Sequence, residues 1–325
     1  MLIMIIPKKD NNQIVRRHAT PGQSRPKPTG SNFTDMFLNV SPTQFDDLNL
    51  MPVDDKINLR HCLVREVLDG NFLAPINELL NNEAKILEIG SGLGIWCCDM
   101  ASTYKTPSFT GIDMFPYDFP TVKNSNVQLE HYNVLNGLPY DDLTFDYVSV
   151  RLMAIDIPDD KWPELLNECV RVLKVNGWIE VMDSDGEPSS DGPWTKIVNR
   201  AIRDHLISRK VSINVATRHY QNLRSLPNLS DITHESRIMK IGKWGGKIGE
   251  LSSQYFRELF KVFLLLFGSQ IKLNGEGIDG KIKDFIRRGR RKNIDDFLSR
   301  VEVEYETYKT YLVHHVFYAQ KLYQL

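Results

Sequence analysis

Short apolar runs alternate with amphipathic stretches through the middle of the chain. The runs with the character of strands are Lys85–Ile89, Ser108–Ile112, Val127–His131, Phe145–Val150 and Trp178–Met182. Apolar residues recur at helical spacing in the stretches Gly94–Tyr104 and Lys161–Leu173. An alternation of strands and helices predicts βαβ crossovers, and therefore a mostly parallel sheet with helices on both faces.

Further elements are predicted on both sides of this region. A helix begins behind Asp54, a plausible N-cap, and ends at Gly70. The later helices are predicted at Pro193–Ile207, Ala216–Leu223, Glu250–Phe267 and Ile294–Tyr305. Two more strands are predicted near Ser236–Ile241 and Thr310–Tyr318. The fold class is therefore α/β, with a further helical region towards the end of the chain.

That helical region, residues 245–305, separates the last two predicted strands. Adjacent antiparallel strands need a connection of only about two to five residues. Tyr255 and Phe256 belong to an aromatic-rich helix face in the intervening segment, which implies burial. We predict an insertion or cap that packs over the carboxyl edge of the sheet and forms one wall of the substrate site. The alternatives are a helical pair on a remote edge, or a dimer contact.

Composition and charge change this picture at the amino terminus. Residues 1–44 are basic, rich in Pro and Gly, and poor in apolar periodicity, which predicts a disordered tail. An alternative is that their basic pairs form a nuclear-import signal. Residues 45–325 form the folded domain in this interpretation. A second basic segment, residues 281–292, holds seven basic residues against one acid. A solvated helix face is favoured there over binding of RNA, DNA or an importin.

The whole chain is nearly neutral, with 40 Lys+Arg against 41 Asp+Glu, so bulk charge makes nucleic acid an unlikely partner. An apolar run of about 18 residues is missing, so no membrane span is expected. The four cysteines form no C-x-x-C pair, which argues against a zinc site and a disulfide framework. We expect a cytoplasmic protein, with nuclear location as the alternative.

A glycine-rich turn follows the first predicted strand. Gly90, Gly92 and Gly94 have the spacing Gly-x-Gly-x-Gly, and the next helix presents free N–H groups there. A dinucleotide fingerprint needs a glycine where this chain has Ile95. Glu88 precedes the first glycine by two residues, and a carboxylate there suits an ammonium group better than a pyrophosphate. The turn therefore favours a ligand other than NAD.

Polar residues also follow the next strands. Asp113 ends the second strand, where its carboxylate can accept hydrogen bonds from both hydroxyls of a ribose. Met114 beside it offers a polarizable apolar surface for a purine ring. Asn133 and Val134 follow the third strand, where the amide can contact an adenine amino group, and Arg151 lies just past the end of the fourth strand. Together these features predict a nucleoside-containing cofactor at the carboxyl edge of the sheet.

With these motifs the chain resembles the class I S-adenosylmethionine (SAM)-dependent methyltransferases, and among them the fungal methyltransferase-like proteins that include regulators of secondary metabolism. The resemblance rests on Glu88–Trp96, Asp113, Phe145–Met153 and Leu173–Glu180. It covers residues 54–183 well and the remainder loosely. It implies a Rossmann-like, seven-stranded sheet and SAM as the cofactor.

The resemblance also implies where the cofactor lies. Glu88 and the glycines would surround the methionine part, Asp113 the ribose, and Asn133 with Val134 the adenine. The predicted cofactor-binding residues are Glu88, Gly90, Ser91, Gly92, Gly94, Asp113, Met114, Asn133, Val134 and Arg151.

The chain departs from the family in three places. Asn133 stands where the family often has an acid, and Arg60 stands where the fungal group commonly has Gln before the histidine. The Asp/Asn-Pro-Pro-Tyr signature of many nucleic-acid amino methyltransferases is missing after the fourth strand, which disfavours methylation of bases.

Other candidate residues point to no further chemistry. Trp96 is expected in the core, whereas His61 is equally suited to the core and to the cofactor side. No metal is expected at the loop acids, because no histidine joins them. His314 and His315 are adjacent in a strand and so point to opposite faces, which excludes a chelating pair.

The sequence thus predicts a SAM-dependent methyltransferase that acts on an unidentified small molecule or protein. No catalytic base is assigned, and the oligomeric state is left open. One alternative is a methyltransferase-like regulatory protein that binds SAM with little or no turnover. A nicotinamide oxidoreductase is the other, and Ile95 disfavours it.

Overall fold

The structure is a computed structural model that describes residues 51, 53–114, 124–226, 228–267 and 291–323. The predicted tail, residues 1–44, lies outside the described residues, and so does the basic segment through residue 290.

A seven-stranded sheet forms the centre of the described part. Its strands are β1 (Lys85–Ile89), β2 (Ser108–Asp113), β3 (Val127–His131), β4 (Phe145–Arg151), β5 (Leu173–Ser184), β6 (Thr233–Lys240) and β7 (Tyr311–Gln320). Their order across the sheet is β3-β2-β1-β4-β5-β7-β6. The first five are parallel, and β7 is antiparallel to both of its neighbours. The predicted mostly parallel, Rossmann-like sheet is confirmed.

Among the described residues, the helices of four residues or more are α1 (Val53–Leu68), α2 (Asn77–Leu80), α3 (Ile95–Thr103), α4 (Trp162–Val172), α5 (Pro193–Ser208), α6 (Val215–Arg224), α7 (Gly246–Phe267) and α8 (Arg291–Tyr308). The sequence pattern missed α2, because one turn is too short to show periodicity.

Strand β5 begins five residues earlier than predicted. Leu173 already pairs with Phe145 of β4, across a register shift between Phe145 and Tyr147. The stretch after Leu173 contains Asn176 with a φ of 65°, and it reads as a turn in the sequence. Leu173 and Trp178 pair with β4 on either side of this irregular stretch and keep it beside the sheet.

Helices cover both faces of the sheet, because alternate residues of each strand are buried on opposite sides. On one face Leu87 and Val148 pack with Trp162 of α4. On the other face Ile86 and Tyr147 pack with Trp96 of α3.

Helices α7 and α8 form the extra layer between β6 and β7. Phe260 of α7, Phe297 of α8 and Leu63 of α1 are buried in one apolar cluster with residues of α5. The layer therefore shares a core with the helix that precedes the sheet.

Candidate functional site

A cavity opens at the carboxyl ends of β1 to β4. The strand ends and loops that line it contribute Gly90 and Gly92, Asp113 and Met114, and Asn133 with Val134. We call this part of the lining the cofactor half. The cavity volume of about 230 Å³ far exceeds the roughly 10 to 15 Å³ that a single water needs. It can therefore take an organic ligand, at the edge where α/β sheets bind theirs.

The glycine loop requires its glycines for two different reasons. Gly90, Gly92 and Gly94 have φ angles of 76°, 54° and 73°, in the left-handed region that strains other residues. A Cβ added to Gly94 would lie 2.5 Å from the Cδ atoms of Leu129, so this glycine also permits close packing. A Cβ at Gly92 would meet its nearest neighbour, Ile57, only at 4.0 Å. Gly92 therefore leaves space beside the backbone on the cavity side.

The end of β2 is tied to the glycine loop. The Gly92 N–H donates to Asp113 Oδ2 at 2.8 Å. At the end of β3, Asn133 Oδ1 accepts from the Leu135 N–H at 3.0 Å and caps the 3₁₀ turn Val134–Asn136. These bonds hold both polar side chains at the cavity edge.

Six of the ten predicted cofactor residues line the cavity: Gly90, Gly92, Asp113, Met114, Asn133 and Val134. Of the other four, Gly94 and Ser91 form the loop behind the lining, and Glu88 and Arg151 lie deeper in the sheet. The predicted cofactor residues therefore fall into two groups: six that line the cavity and four that lie behind this lining.

Glu88 and Arg151 are buried against each other. Arg151 Nη1 lies 3.7 Å from Glu88 Oε1, and the Cys97 thiol donates to Glu88 Oε2 at 3.2 Å. Burial raises the pKa of Glu88 to about 7, although the Arg151 charge opposes this shift. The guanidinium also lies 5.4 Å from the centre of the Trp96 ring. The charge of Glu88, which the sequence suggested would face a ligand ammonium group, thus has a partner within the protein.

The rest of the lining comes from elements that are distant in sequence. It includes Arg60 of α1, Met239 of β6, Tyr255, Phe256 and Phe260 of α7, and His314 of β7. We call these residues the acceptor half. Burial raises the pKa of Tyr255, while the charge and hydrogen bond of Arg60 oppose the shift. The aromatic face of α7 lines the cavity, where the sequence predicted a wall.

Sequence reasoning missed two residues of the acceptor half. Met239 lies in a strand without any motif, and His314 was considered only as half of a metal-binding pair. The two adjacent histidines do point to opposite faces: His314 lines the cavity, whereas His315 contacts His234 at 3.1 Å and Asp185 at 3.2 Å. A histidine in the sequence does not indicate whether its side chain is buried. Only the packing of β7 could therefore show that His314 lines the cavity.

Trp96, Met100 and His61 are each in contact with other residues of the protein. Trp96 and Met100 are buried in the core around α3. His61 lies 3.3 Å from Asp99, which also accepts a hydrogen bond from Asn71 at 2.8 Å. Within the described ranges, no group of three or more metal-ligating side chains comes together. Nor is any helix in those ranges long and apolar enough to cross a membrane.

The cofactor half fits SAM by its chemistry. The Asp113 carboxylate suits a ribose diol, Met114 and Val134 supply apolar surface for a purine, and the backbone of Gly92 has open space beside it. Residues 86–177 match the family model described as methyltransferase domain. The fold and the cavity lining are typical of the SAM-dependent methyltransferases, and the resemblance seen in the sequence is confirmed over residues 86–177.

Curated relatives come from fungi. The chain is 31% identical over 123 residues to methyltransferase str2 of Strobilurus tenacellus, covering 38% of this chain and 43% of that protein. It is 24% identical over 220 residues to methyltransferase grgD of a Penicillium species, covering 61% and 74%. It is 27% identical over 152 residues to the secondary metabolism regulator LAE1 of Cochliobolus heterostrophus, covering 43% and 46%. The chain thus spans between two fifths and three quarters of the length of these relatives.

Proposed function

We propose that this protein is a SAM-dependent methyltransferase that acts on a small, largely apolar molecule. The observation that carries the proposal is the continuity of one cavity. It runs from the glycine loop and Asp113 to the buried aromatic side chains of α7. A cofactor and an acceptor can therefore meet within the same enclosure.

SAM, when bound, supplies an electrophilic methyl group on a sulfonium. The residues of the cofactor half would hold it, with Asp113 at the ribose and with Met114 and Val134 at the adenine. The work of the protein is then to orient the acceptor and to exclude water. Alignment of this kind contributes about 7 to 11 kcal/mol to lowering a barrier, without a covalent nucleophile.

A small acceptor agrees with the character of the acceptor half. Phe256, Phe260 and Leu312 are buried, and their side chains present apolar surface to the cavity. An apolar enclosure of this kind favours a molecule that can be taken out of water whole. An exposed side chain of a protein acceptor is the less favoured substrate.

A regulatory protein that binds SAM with little or no turnover is the second candidate. The similarity to a fungal regulator of secondary metabolism favours it. Incubation with extract and radiolabelled SAM separates the two, because only an enzyme transfers label to an extractable product. A cytoplasmic location, with the nucleus as the alternative, stays a prediction for either candidate.

Cofactor choice is tested by thermal melting with S-adenosylhomocysteine and with NAD. Ligand at about 100 times its dissociation constant stabilises the folded state by roughly 2.7 kcal/mol. We expect this shift with S-adenosylhomocysteine and no shift with NAD. A larger shift with NAD would show that the cofactor is wrongly assigned.

A further inference from the structure

His314 is a buried polar side chain of the acceptor half. It lies on β7, is only 2% exposed and lines the acceptor half of the cavity. Its Nδ1 atom has no hydrogen-bond partner within the part of the chain that the structure describes. A buried polar atom without a partner is costly, so such atoms are uncommon unless a ligand or water satisfies them.

The charged groups around His314 are already engaged with other residues. Asp183 of β5 binds His219 at 2.7 Å and the Ala154 N–H at 2.9 Å. Asp185, which follows β5, contacts His315 at 3.2 Å. Neither carboxylate therefore needs a ligand cation for its charge.

The basic groups that face His314 are engaged as well. Arg151 of β4 is paired with Glu88, and Arg237, opposite His314 on β6, binds Glu235. Unlike these four charged groups, His314 keeps a buried polar atom without a partner among the described residues.

The imidazole ring is neutral in this environment. Burial lowers the pKa of His314 to about 4, and the neighbouring His315 lowers it further, while Asp183 and Asp185 oppose the shift. A neutral ring has one nitrogen that donates and one that accepts a hydrogen bond. At neutral pH it can therefore bind an uncharged protic group.

Apolar side chains lie beside His314 in the cavity lining. Met239 and Leu312 are paired across β6 and β7, on the same face as His314, and Phe260 of α7 belongs to the same apolar cluster and also lines the cavity. An ammonium group placed among these apolar side chains would lose its hydration, and the nearby Asp183 and Asp185 are already paired, so the energetic cost would be high. A hydroxyl group on an apolar frame loses much less.

We propose that His314 positions the acceptor by accepting a hydrogen bond from its hydroxyl group, and that the acceptor is therefore a phenol or a similar hydroxyl on an apolar frame. This inference rests on the proposed function, because it assigns the acceptor half of the same cavity. His314 acts as a positioning and specificity-determining residue.

The test uses the full chain labelled with ¹³C in the methionine methyl groups. Met239 reports on the acceptor half and Met153 on the side of the glycine loop, since its Sδ lies where a Cβ on Gly90 would be. The probes are 4-methylphenol, 4-methylanisole, which lacks the donor, and 4-methylbenzylamine, which is a cation. Each is titrated with and without S-adenosylhomocysteine, and Met239→Leu identifies the reporter signal.

We expect 4-methylphenol to shift the Met239 signal and to bind about five-fold more tightly than 4-methylanisole, as one hydrogen bond provides. His314→Phe should remove this preference, and His314→Gln, which keeps an acceptor oxygen, should restore part of it. If the phenylalanine variant does not fold, the glutamine variant and the comparison of probes carry the test.

Three results would overturn the inference: an unchanged Met239 signal with 4-methylphenol, a preference that survives in His314→Phe, or tighter binding of the amine. The titration needs no methyl transfer, so its outcome is separate from that of the proposed function. The proposed function fails instead if S-adenosylhomocysteine neither shifts the Met153 signal nor stabilises the protein.

Discussion

The two halves of the cavity are assembled in different ways. The cofactor half comes from the ends of three neighbouring parallel strands, and backbone conformation at Gly90 and Gly92 shapes it. The acceptor half comes from side chains of α1, β6, α7 and β7, the first and last of which, Arg60 and His314, are 254 positions apart in the sequence. The chemistry of the first depends on local spacing, and that of the second on how distant elements pack.

The buried polar groups of the two halves also differ in how they are paired. Beside the cofactor half, the buried Glu88 carboxylate has an internal counter-charge in Arg151. In the acceptor half, burial keeps His314 uncharged and its Nδ1 atom lacks a partner among the described residues. The first arrangement is complete within the protein, whereas the second has capacity left for a ligand.

The largest expected effect comes from Arg151→Met, which removes the counter-charge of Glu88. Loss of one partner from a buried pair costs about 3 to 5 kcal/mol, because the other charge stays buried and unpaired. Glu88 has a pKa of about 7 when folded, against about 4.3 when unfolded. Its proton therefore stabilises the folded state at low pH, and that stability is lost as pH rises towards 7.

We accordingly expect Arg151→Met to lose more stability at pH 8 than at pH 6, in urea unfolding. Arg65→Met is the control, since Arg65 is 53% exposed where it meets Asp99 and such pairs contribute less than about 1 kcal/mol. Equal losses of stability at pH 6 and pH 8 would show that the charge of Glu88 is not the cause of the destabilisation.

A second effect, on the order of 3 kcal/mol, concerns acid sensitivity. His314 has a pKa of about 4 when folded, against about 6.5 when unfolded. The unfolded chain binds the proton first, so this stability is present above pH 6.5 and is lost as pH falls towards 4. His314→Gln lacks that loss.

Urea unfolding of the wild type and of His314→Gln between pH 7 and pH 4.5 measures this loss of stability. The stability difference should move in favour of the variant as pH falls, and the exposed His131→Asn should not reproduce this trend. A difference that is constant with pH would contradict a buried neutral ring.

The third prediction concerns the cofactor half. Asp113→Asn should weaken binding of S-adenosylhomocysteine by about ten- to a hundred-fold, because a hydrogen bond to a charged group contributes roughly 1.5 to 3 kcal/mol. Calorimetric titration measures the affinity, and the exposed Asp141→Asn is the matched control. Unchanged affinity in a folded Asp113→Asn protein would exclude the ribose role.

The smallest effect is expected from deletion of residues 1–44. That segment lacks the apolar pattern of a core element, so its loss should change stability by less than about 0.5 kcal/mol and leave cofactor affinity unchanged. Thermal melting and calorimetry test this. A large fall in melting temperature would show that the segment docks on one of the two halves.

The sequence by itself placed six of the ten predicted cofactor residues at the cavity lining, and these six form the cofactor half. Gly90 and Gly92, Asp113 and Asn133 follow successive strands, and the ends of parallel strands meet at one edge of a sheet. The spacing of these residues along the sequence is therefore enough to predict that they lie close together. The same applies to the aromatic positions of α7, because an amphipathic helix between two strands must bury its apolar face.

Only the tertiary structure decided which groups face each other across the sheet. The Glu88 carboxylate pairs with Arg151 inside the protein, because β4 lies beside β1 and brings Arg151 within reach. His314 reaches the cavity because β7 inserts antiparallel between β5 and β6, which sets the face on which each side chain lies. Pairing register and burial depend on contacts between residues far apart in the chain, and no local pattern of residue types encodes them.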